Sequence, residues 1–146
     1  FVFTARRPMK PMKMKPMNTK WTADDKEILA TSRALRELAE FWSSAAARLR
    51  RAEQDTSDVG DLAVYGAGFY GAFIKSCLAR PERIRCFIDR NPFLHSGDFD
   101  GIPVVPPDDL PQDIPTVFVG LNPDHARKII EDVAAFSDRE LAYIYI

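Results

Sequence analysis

The sequence predicts an α/β protein in which one long helix precedes a parallel sheet. Short apolar segments alternate with helical patterns over residues 57–146, which predicts the sheet. Apolar residues that recur seven positions apart between residues 22 and 52 predict the helix. We therefore expect a Rossmann-like sheet of about five strands in the order 3-2-1-4-5, with the amphipathic helix before it.

The composition is that of a globular chain with a sizeable core. The chain has 146 residues, of which 46% are hydrophobic and 28% charged. No apolar run approaches the roughly 18 residues of a membrane span, so we expect no membrane segment. Cys77 and Cys86 fall in predicted core elements without C-x-x-C spacing, so we expect buried free thiols in a cytoplasmic protein.

Charge is distributed unevenly along the chain. The first 20 residues carry six basic side chains and no acidic one, so the other 126 residues hold 14 basic and 21 acidic side chains, a net charge of −7. The segment 1–20 is rich in Pro, Met and Lys, and we expect a disordered basic tail. The net negative charge of residues 21–146 argues against a nucleic-acid groove on the folded part. Only the basic tail could bind nucleic acid or anionic lipid.

The helix is expected over residues 21–56. Thr22 is a candidate N-cap because acidic residues follow it in the first turn, where the helix dipole favours them. Two readings of its apolar stripe stay open. In one, the stripe packs on the body of the same chain. In the other, residues 22–52 are a docking helix that pairs with a second copy or binds a partner enzyme. The stripe consists of Ile28, Leu35, Trp42 and Leu49, with Leu38, Ala45 and Ala52 three residues further on.

The domain expected over residues 57–146 contains five predicted strands and two predicted helices. Each strand is a short apolar run bounded by turn residues, and each helix follows a strand directly. The strands are expected at 62–65, 84–88, 102–105, 116–119 and 142–146, and the helices at 69–78 and from Asn122 to about Phe136.

Three glycines after the first strand have the spacing G-x-G-x-x-G. Gly66 permits a tight turn, Gly68 lets backbone amides approach a phosphate, and Gly71 lets the helix pack closely on the strand. Asp89 ends the second strand 23 residues after Gly66, near the spacing of a ribose-binding acid. An acid there disfavours a 2′-phosphate, so NAD is expected rather than NADP, although Arg90 weakens that preference.

We therefore expect a ligand, NAD or a nucleotide-sugar, at the carboxyl ends of the central strands. The alternative is a retained fold whose pocket is vacant, in which the glycines serve packing alone. Phe69 and Tyr70 are bulky for such a loop and either stack on a ligand or fill the pocket. The expected contacts are Gly66, Ala67, Gly68, Phe69, Tyr70, Gly71, Asp89, Arg90, Asn91 and Asn122.

Residues for catalysis are scarce. His95 and His125 are expected to be surface residues, with a role as general base or ligand contact as the open alternative. Two histidines and two separated cysteines give no metal-ligand spacing, so no metal is expected. Val64 stands where S-adenosylmethionine-dependent methyltransferases usually have an acid, so we do not expect that activity from this domain.

Three segments resemble the C-terminal Rossmann-like domain of sugar C-methyltransferases. They are Tyr65-Gly66-Ala67, Ile88-Asp89-Arg90-Asn91-Pro92, and Ile102-Pro103-Val104-Val105 with Pro106 and Leu110. A long helix before the glycine loop is also a feature of that domain, and nucleotide-binding domains of sugar-nucleotide-modifying enzymes have a similar layout. Tyr70 stands where the family often has a lysine.

The resemblance implies a role in sugar modification or polysaccharide biosynthesis. It implies a detached module, a fragment or the partner of a separate enzyme, because the family's methyl-transfer and zinc domains are not among these residues. Its catalysis does not carry over, and the catalytic residues are unknown. Two other classes stay open: an NAD-dependent oxidoreductase fragment, and an interaction scaffold with a vestigial pocket.

Overall fold

The computed structural model describes residues 22–58 and 60–146. The chain divides into two compact units, residues 1–36 and residues 37–146, and the boundary falls within the long helix. The tail predicted at residues 1–20 lies outside the described residues. The predictions of a long N-terminal helix and of an α/β architecture are confirmed.

Three α-helices and six strands make up the described chain. The helices are α1 (Ala23–Asp55), α2 (Phe69–Cys77) and α3 (Pro123–Glu131). The strands are β1 (Leu62–Tyr65), β2 (Ile84–Ile88), β3 (Asp98–Phe99), β4 (Ile102–Val105), β5 (Thr116–Val119) and β6 (Ala142–Tyr145).

Helix α1 begins as its sequence predicts. The Asp25 amide donates to Thr22 Oγ1 at 3.2 Å, and the Thr22 amide donates back to Asp25 Oδ2 at 2.9 Å. This reciprocal pair satisfies two backbone donors at the end of the helix. The Thr22 hydroxyl also donates to Asp25 Oδ2, and these bonds lower the pKa of the Asp25 carboxyl.

The sheet has six strands in the order β3-β4-β2-β1-β5-β6. Strands β4, β2, β1, β5 and β6 are parallel, and β3 pairs antiparallel with β4. The predicted five-stranded order 3-2-1-4-5 is wrong in that it lacks this additional edge strand. A two-residue strand has too few residues for an alternating pattern to reveal it.

Strand β3 exists because a tight turn folds it back onto β4. Asp100 and Gly101 form that turn with φ angles of 55° and 79°, a left-handed conformation that is uncommon outside glycine but that aspartate adopts more readily than most residues. Lys75 of α2 holds Asp100 in place, with 2.6 Å between Nζ and Oδ2 and a further hydrogen bond to the Asp100 carbonyl. Helix α2 thereby helps to fix the turn.

Two apolar clusters, one on each face of the sheet, form the core. Because side chains alternate along a strand, Ala63 and Tyr65 enter one cluster while Leu62 and Val64 enter the other. Helix α3 covers the first face, and α2 with the C-terminal part of α1 covers the second. The central strands β1 and β5 are therefore buried on both sides, as expected for parallel strands.

The two cysteines are buried free thiols, as predicted. Cys86 belongs to the cluster beneath α3 and Cys77 to the cluster on the opposite face, so they are not positioned to form a disulfide with each other. Burial raises the pKa of the Cys86 thiol to about 11, with a small opposing effect from Arg85. The Cys86 thiol is therefore protonated at neutral pH and a poor nucleophile.

Helix α3 is shorter than predicted. It ends at Glu131 instead of continuing to about Phe136, and a separate 3-10 turn covers Ala134–Phe136. Val133 adopts an extended conformation between the two, with φ −88° and ψ 96°. This break turns both Val133 and Phe136 into the core, where each is 5% exposed.

A buried carboxylate fastens the end of α1 to the loop after α2. Glu53 is 2% exposed, and its oxygens accept from the amides of Ala79 at 2.7 Å and Arg80 at 2.8 Å. Arg50 adds a hydrogen bond from Nε to the Cys77 carbonyl at 3.1 Å. The C-terminal part of α1 is thus an integral part of the α/β unit.

Replacing Glu53 by alanine is expected to destabilise the protein by about 1–3 kcal/mol, because the two amides lose their acceptors. Urea unfolding followed by circular dichroism measures the change. Glu82→Ala, at an exposed site in the following turn, is the matched control and should change stability by less than about 0.5 kcal/mol. Equal effects of the two substitutions would contradict the anchoring role of Glu53.

Candidate functional site

The first and third glycines of the loop are packed against backbone. Gly66 has a φ of +99°, and a Cβ there would lie 2.4 Å from the Gly120 oxygen. A Cβ on Gly71 would lie 2.1 Å from the Gly66 oxygen, and one on Gly120 would lie 2.8 Å from the Gly71 nitrogen. The three residues therefore form a mutual contact that has no room for side chains.

Hydrogen bonds complete this contact. The Gly66 amide donates to Ile88 O at 2.7 Å, and the Gly120 amide donates to Tyr65 O at 2.8 Å. The loops after β1 and β5 are thereby joined at the point where the chain connections diverge to either side of the sheet. The predicted roles of Gly66 in the turn and of Gly71 in helix packing agree with this geometry.

Gly68 differs from the other two glycines. It is exposed, and a Cβ built on it would meet no atom within 4 Å. It precedes α2 directly, and within the described chain no side chain caps the helix there. The first amides of α2 therefore have no partner within the helix, and Gly68 directly before them is open to solvent.

Asp89 supports the glycine loop through its side chain. Its Oδ2 accepts from the Ala67 amide at 2.9 Å, and its Oδ1 accepts from the Asn91 amide at 2.9 Å. The carboxylate thus joins the loop after β1 to the loop after β2. Each oxygen retains a further lone pair, because a carboxylate has about four acceptor positions.

The segment after β2 contains a second set of local bonds. Asn91 Oδ1 accepts from the Phe93 amide at 3.1 Å and caps a short 3-10 turn. His95 Nε2 lies 2.7 Å from the Asp89 carbonyl oxygen, which can only accept, so Nε2 carries the hydrogen. His95 lies in the loop, as expected, but it is only partly exposed, and its ring bonds to the end of β2.

The remaining polar candidates lie near α3. Arg90 Nη2 donates to the Ile129 carbonyl at 3.1 Å, which ties the end of β2 to α3. Asn122 Oδ1 accepts from the Asp124 amide at 3.0 Å, so Asn122 is the predicted N-cap. His125 is exposed in the first turn of the helix, as expected.

The two aromatic residues of the glycine loop have different environments. Phe69 is 70% exposed. Tyr70 is half-buried and stacks on Trp42 of α1, with 5.8 Å between ring centroids and an interplanar angle of 29°. Trp42 also meets Phe69 and Phe73 edge to face at 5.6 and 4.7 Å. Trp42 of α1 therefore forms an aromatic cluster with the first residues of α2.

Tyr65 adds a polar group that the sequence analysis did not single out. It is 3% exposed, and its hydroxyl has no hydrogen-bond partner within the described chain. Burial raises its pKa, and the nearby positive charge of Arg90 acts in the opposite direction. The hydroxyl is therefore protonated at neutral pH.

The arrangement offers amide donors and a supported loop, with few groups for catalysis. Residues 22–58 and 60–146 contain no cluster of three His, Cys, Asp or Glu side chains that could hold a metal ion. Sequence reasoning missed the structural role of Gly120, although a glycine directly after a buried strand, as at Gly66, was a usable signal. It also missed the contact of Trp42 with the loop, for which the sequence holds no local signal.

Comparison with known proteins gives no relative: no family model, no curated protein and no solved structure matches this chain. Within residues 22–58 and 60–146, no helix has both the length and the apolar character needed to cross a membrane.

Two glycine substitutions are expected to have opposite outcomes. Gly71→Ala forces a Cβ into the Gly66 carbonyl and should destabilise the fold by about 2 kcal/mol or more, or prevent folding. At Gly68 the backbone is extended and a Cβ would have open space around it. Gly68→Ala should therefore change the free energy of unfolding by less than about 1 kcal/mol. Thermal and urea unfolding of both variants measure the difference. Similar stabilities would contradict the packing described for Gly71.

Proposed function

We propose that this chain is a Rossmann-like module that binds a nucleotide or nucleotide-sugar in sugar or glycan modification in the cytoplasm. NAD or a nucleotide-sugar is the proposed ligand, and the loop from Gly66 to Gly71 is the proposed site. The module is not catalytic by itself under this proposal, and it supplies a binding surface to a separate enzyme.

The main support for this proposal is the open space around Gly68. Packing alone accounts for Gly66 and Gly71, because each has backbone atoms where a Cβ would be. It does not account for Gly68, which meets nothing and has ordinary φ and ψ angles of −151° and −158°. A glycine at this position suits a phosphate that approaches the uncapped amides of α2.

Asp89 has a double role in the proposal. One lone pair on each oxygen receives a loop amide, and the remaining lone pairs are available to the hydroxyls of a ribose. The negative charge would repel a 2′-phosphate, which favours NAD over NADP. Arg90 and Asn91 are both exposed beside it, and Asn122 caps the neighbouring helix.

The sugar-related part of the proposal depends on the resemblance of the glycine loop and the segment after β2 to sugar C-methyltransferase C-terminal domains. Tyr70 replaces the lysine that this family often has in the loop, and here its ring stacks on Trp42. Two other functions remain candidates. An NAD-dependent oxidoreductase fragment would oxidise or reduce a sugar-nucleotide, and a scaffold with a vestigial pocket would bind no nucleotide.

The proposal predicts stabilisation of the full chain by one class of ligand in thermal-shift titrations. The probes are NAD, NADH, NADP, S-adenosylmethionine, UDP-glucose, GDP-mannose and dTDP-glucose. A ligand at about 100 times its dissociation constant adds about 2.7 kcal/mol, a shift on the order of 10 °C for this size of domain. Gly68→Val should abolish that shift because its side chain occupies the phosphate position.

The matched control for this experiment is Gly97→Val. Gly97 is also exposed, has no atom within 4 Å of a built Cβ and lacks a positive φ, so the substitution should leave ligand binding unchanged. Unchanged binding by Gly68→Val would place the ligand elsewhere. A lack of stabilisation by all seven probes would favour the scaffold, and turnover of NADH with a sugar-nucleotide would favour the oxidoreductase.

A docking role for α1 is a second candidate function. Ile28 and Leu35 are 63% and 61% exposed, although they continue the seven-residue row whose later member Leu49 is fully buried. Leu29 is 50% exposed beside them. An exposed apolar row on a helix favours association with a second copy or with a partner enzyme.

Leu35→Asp is expected to abolish association through α1, because the substitution places a charge in the centre of the apolar row. Sedimentation velocity over a range of concentrations, alone and with a candidate enzyme, measures the association. Ala30→Asp introduces the same charge on the opposite side of the helix and should leave association intact. Equal loss in both variants would indicate a general effect of the charge and would contradict a docking row.

A further inference from the structure

Exposed apolar side chains are concentrated on α1. Among the residues that the structure describes, seven large apolar side chains are markedly exposed, and five of them belong to α1. The other two are Phe69, which is 70% exposed, and Phe93, which is 89% exposed. One exposed phenylalanine is ordinary on a protein surface. Phe69, however, directly follows Gly68, and Phe93 lies on the turn that follows Asp89, so both rings border the proposed nucleotide site.

Three successive hydrogen bonds connect the glycine loop to the backbone of Phe93. The Ala67 amide donates to Asp89 Oδ2 at 2.9 Å. The Asn91 amide donates to Asp89 Oδ1 at 2.9 Å, and the Phe93 amide donates to Asn91 Oδ1 at 3.1 Å. The order across this part of the structure is therefore the glycine loop, Asp89 and then Phe93.

The turn that carries Phe93 is held on both sides. Pro92–Leu94 form a 3-10 turn, and the Leu94 side chain packs against the apolar cluster beneath α2. Next to it, His95 Nε2 bonds to the Asp89 carbonyl at 2.7 Å. The backbone of Phe93 is thus restrained while its ring extends into solvent. A group presented in this way loses little conformational freedom when it binds a ligand.

The Phe69 ring is positioned by its neighbours in the aromatic cluster. It meets Trp42 edge to face at 5.6 Å and Tyr70 at 5.5 Å, with interplanar angles of 88° and 76°. These contacts leave most of the ring exposed. In the chain, Gly68 lies between Phe69 and Ala67, the loop residue that bonds to the carboxylate. Phe69 and the turn after β2 are therefore the two ends of this connected series.

We propose that Phe93 stacks on the nucleobase of the ligand and that Phe69 contacts the group beyond the second phosphate, which is the sugar of a nucleotide-sugar or the nicotinamide riboside of NAD. The inference rests on the proposed function, and it gives the ligand a direction in its site. A nucleotide carries base, ribose and phosphate in that order. An aromatic ring at Phe93, a carboxylate with remaining lone pairs at Asp89 and the uncapped amides after Gly68 have the same order.

Stacking also defines the class of ligand. Every base has an aromatic face, so a single stacking ring tolerates different bases. We therefore expect the nucleoside diphosphates of uracil, guanine and adenine to bind within about tenfold of each other. Preference among complete ligands then comes from the group that Phe69 contacts. A preference of more than about a hundredfold for one base would contradict recognition by stacking alone.

Isothermal titration calorimetry on the full chain tests both contacts. The probes are the nucleotide that gives the largest thermal shift in the titrations above and its nucleoside diphosphate, which is UDP for UDP-glucose and ADP for NAD. Phe93→Ala should weaken both probes by about tenfold or more, because each has a base. Phe69→Ala should weaken the complete ligand several-fold and leave the affinity of the nucleoside diphosphate unchanged. Phe93→Trp should retain the affinity of both probes. Equal weakening of the two probes by Phe69→Ala would overturn the proposed direction.

Failure of this inference can be distinguished from failure of the proposed function. If no nucleotide stabilises the chain, both are overturned. If a nucleotide binds, loses its affinity in Gly68→Val and keeps it in Phe93→Ala, the proposed function stands and the inference is overturned. Urea unfolding of each variant without ligand verifies that these substitutions at exposed positions leave the fold intact.

Transferred nuclear Overhauser effects give a second readout, which a merely structural role of Phe93 would not change. The base protons of the bound nucleotide should show contacts with an aromatic side chain in the wild-type chain and in Phe69→Ala, but not in Phe93→Ala. Contacts that persist in Phe93→Ala would show that the base lies on another ring and would overturn the proposal.

Discussion

The contact among Gly66, Gly71 and Gly120 is the constraint on which the centre of the structure depends. Three backbone segments meet there closely enough that no side chain fits between them. Two hydrogen bonds, from the Gly66 amide to Ile88 O and from the Gly120 amide to Tyr65 O, fix the same junction. The positions of α2 on one face and α3 on the other follow from this junction, because each helix starts within a few residues of it.

Asp89 extends this rigidity to the loops around the junction. Its carboxylate accepts a hydrogen bond from one amide in the loop after β1 and one in the loop after β2, which restricts the motion of both loops. His95 bonds to the Asp89 carbonyl and restrains the end of β2 as well. Polar side chains at the carboxyl ends of these strands are therefore largely engaged in structure. The open feature beside them is the backbone around Gly68, and a ligand here would meet an ordered surface with little reorganisation to undergo.

Much of the fold was predictable because the relevant signals are local. The five parallel strands are apolar runs bounded by turn residues, and Thr22 and Asn122 are helix caps recognisable from their neighbours. The errors have physical causes. Strand β3 depends on a turn held by Lys75 from a distant helix, and α3 ends early because Val133 is drawn into the core.

The candidate site was predictable only in part for the same reason. The G-x-G-x-x-G spacing predicts that Gly66 and Gly71 make close backbone contacts. It does not predict that Gly120 is the residue they contact. The position of Asp89 after β2 predicts its location, but its bonds to Ala67 and Asn91 depend on how two loops meet. The contact of Trp42 with Tyr70 joins residues 28 positions apart, and no pattern in either segment indicates it.

The opposite placement of the two cysteines gives each face of the sheet its own chemical reporter. Cys86 of β2 lies under α3, whereas Cys77 is the last residue of α2 and belongs to the cluster between α2 and the opposite face of the sheet; both thiols are buried. A thiol reagent can react with Cys86 only after α3 has opened, and with Cys77 only after the end of α2 has separated from the sheet. The labelling rates of the two positions therefore measure the opening free energies of the two layers separately, without any added probe.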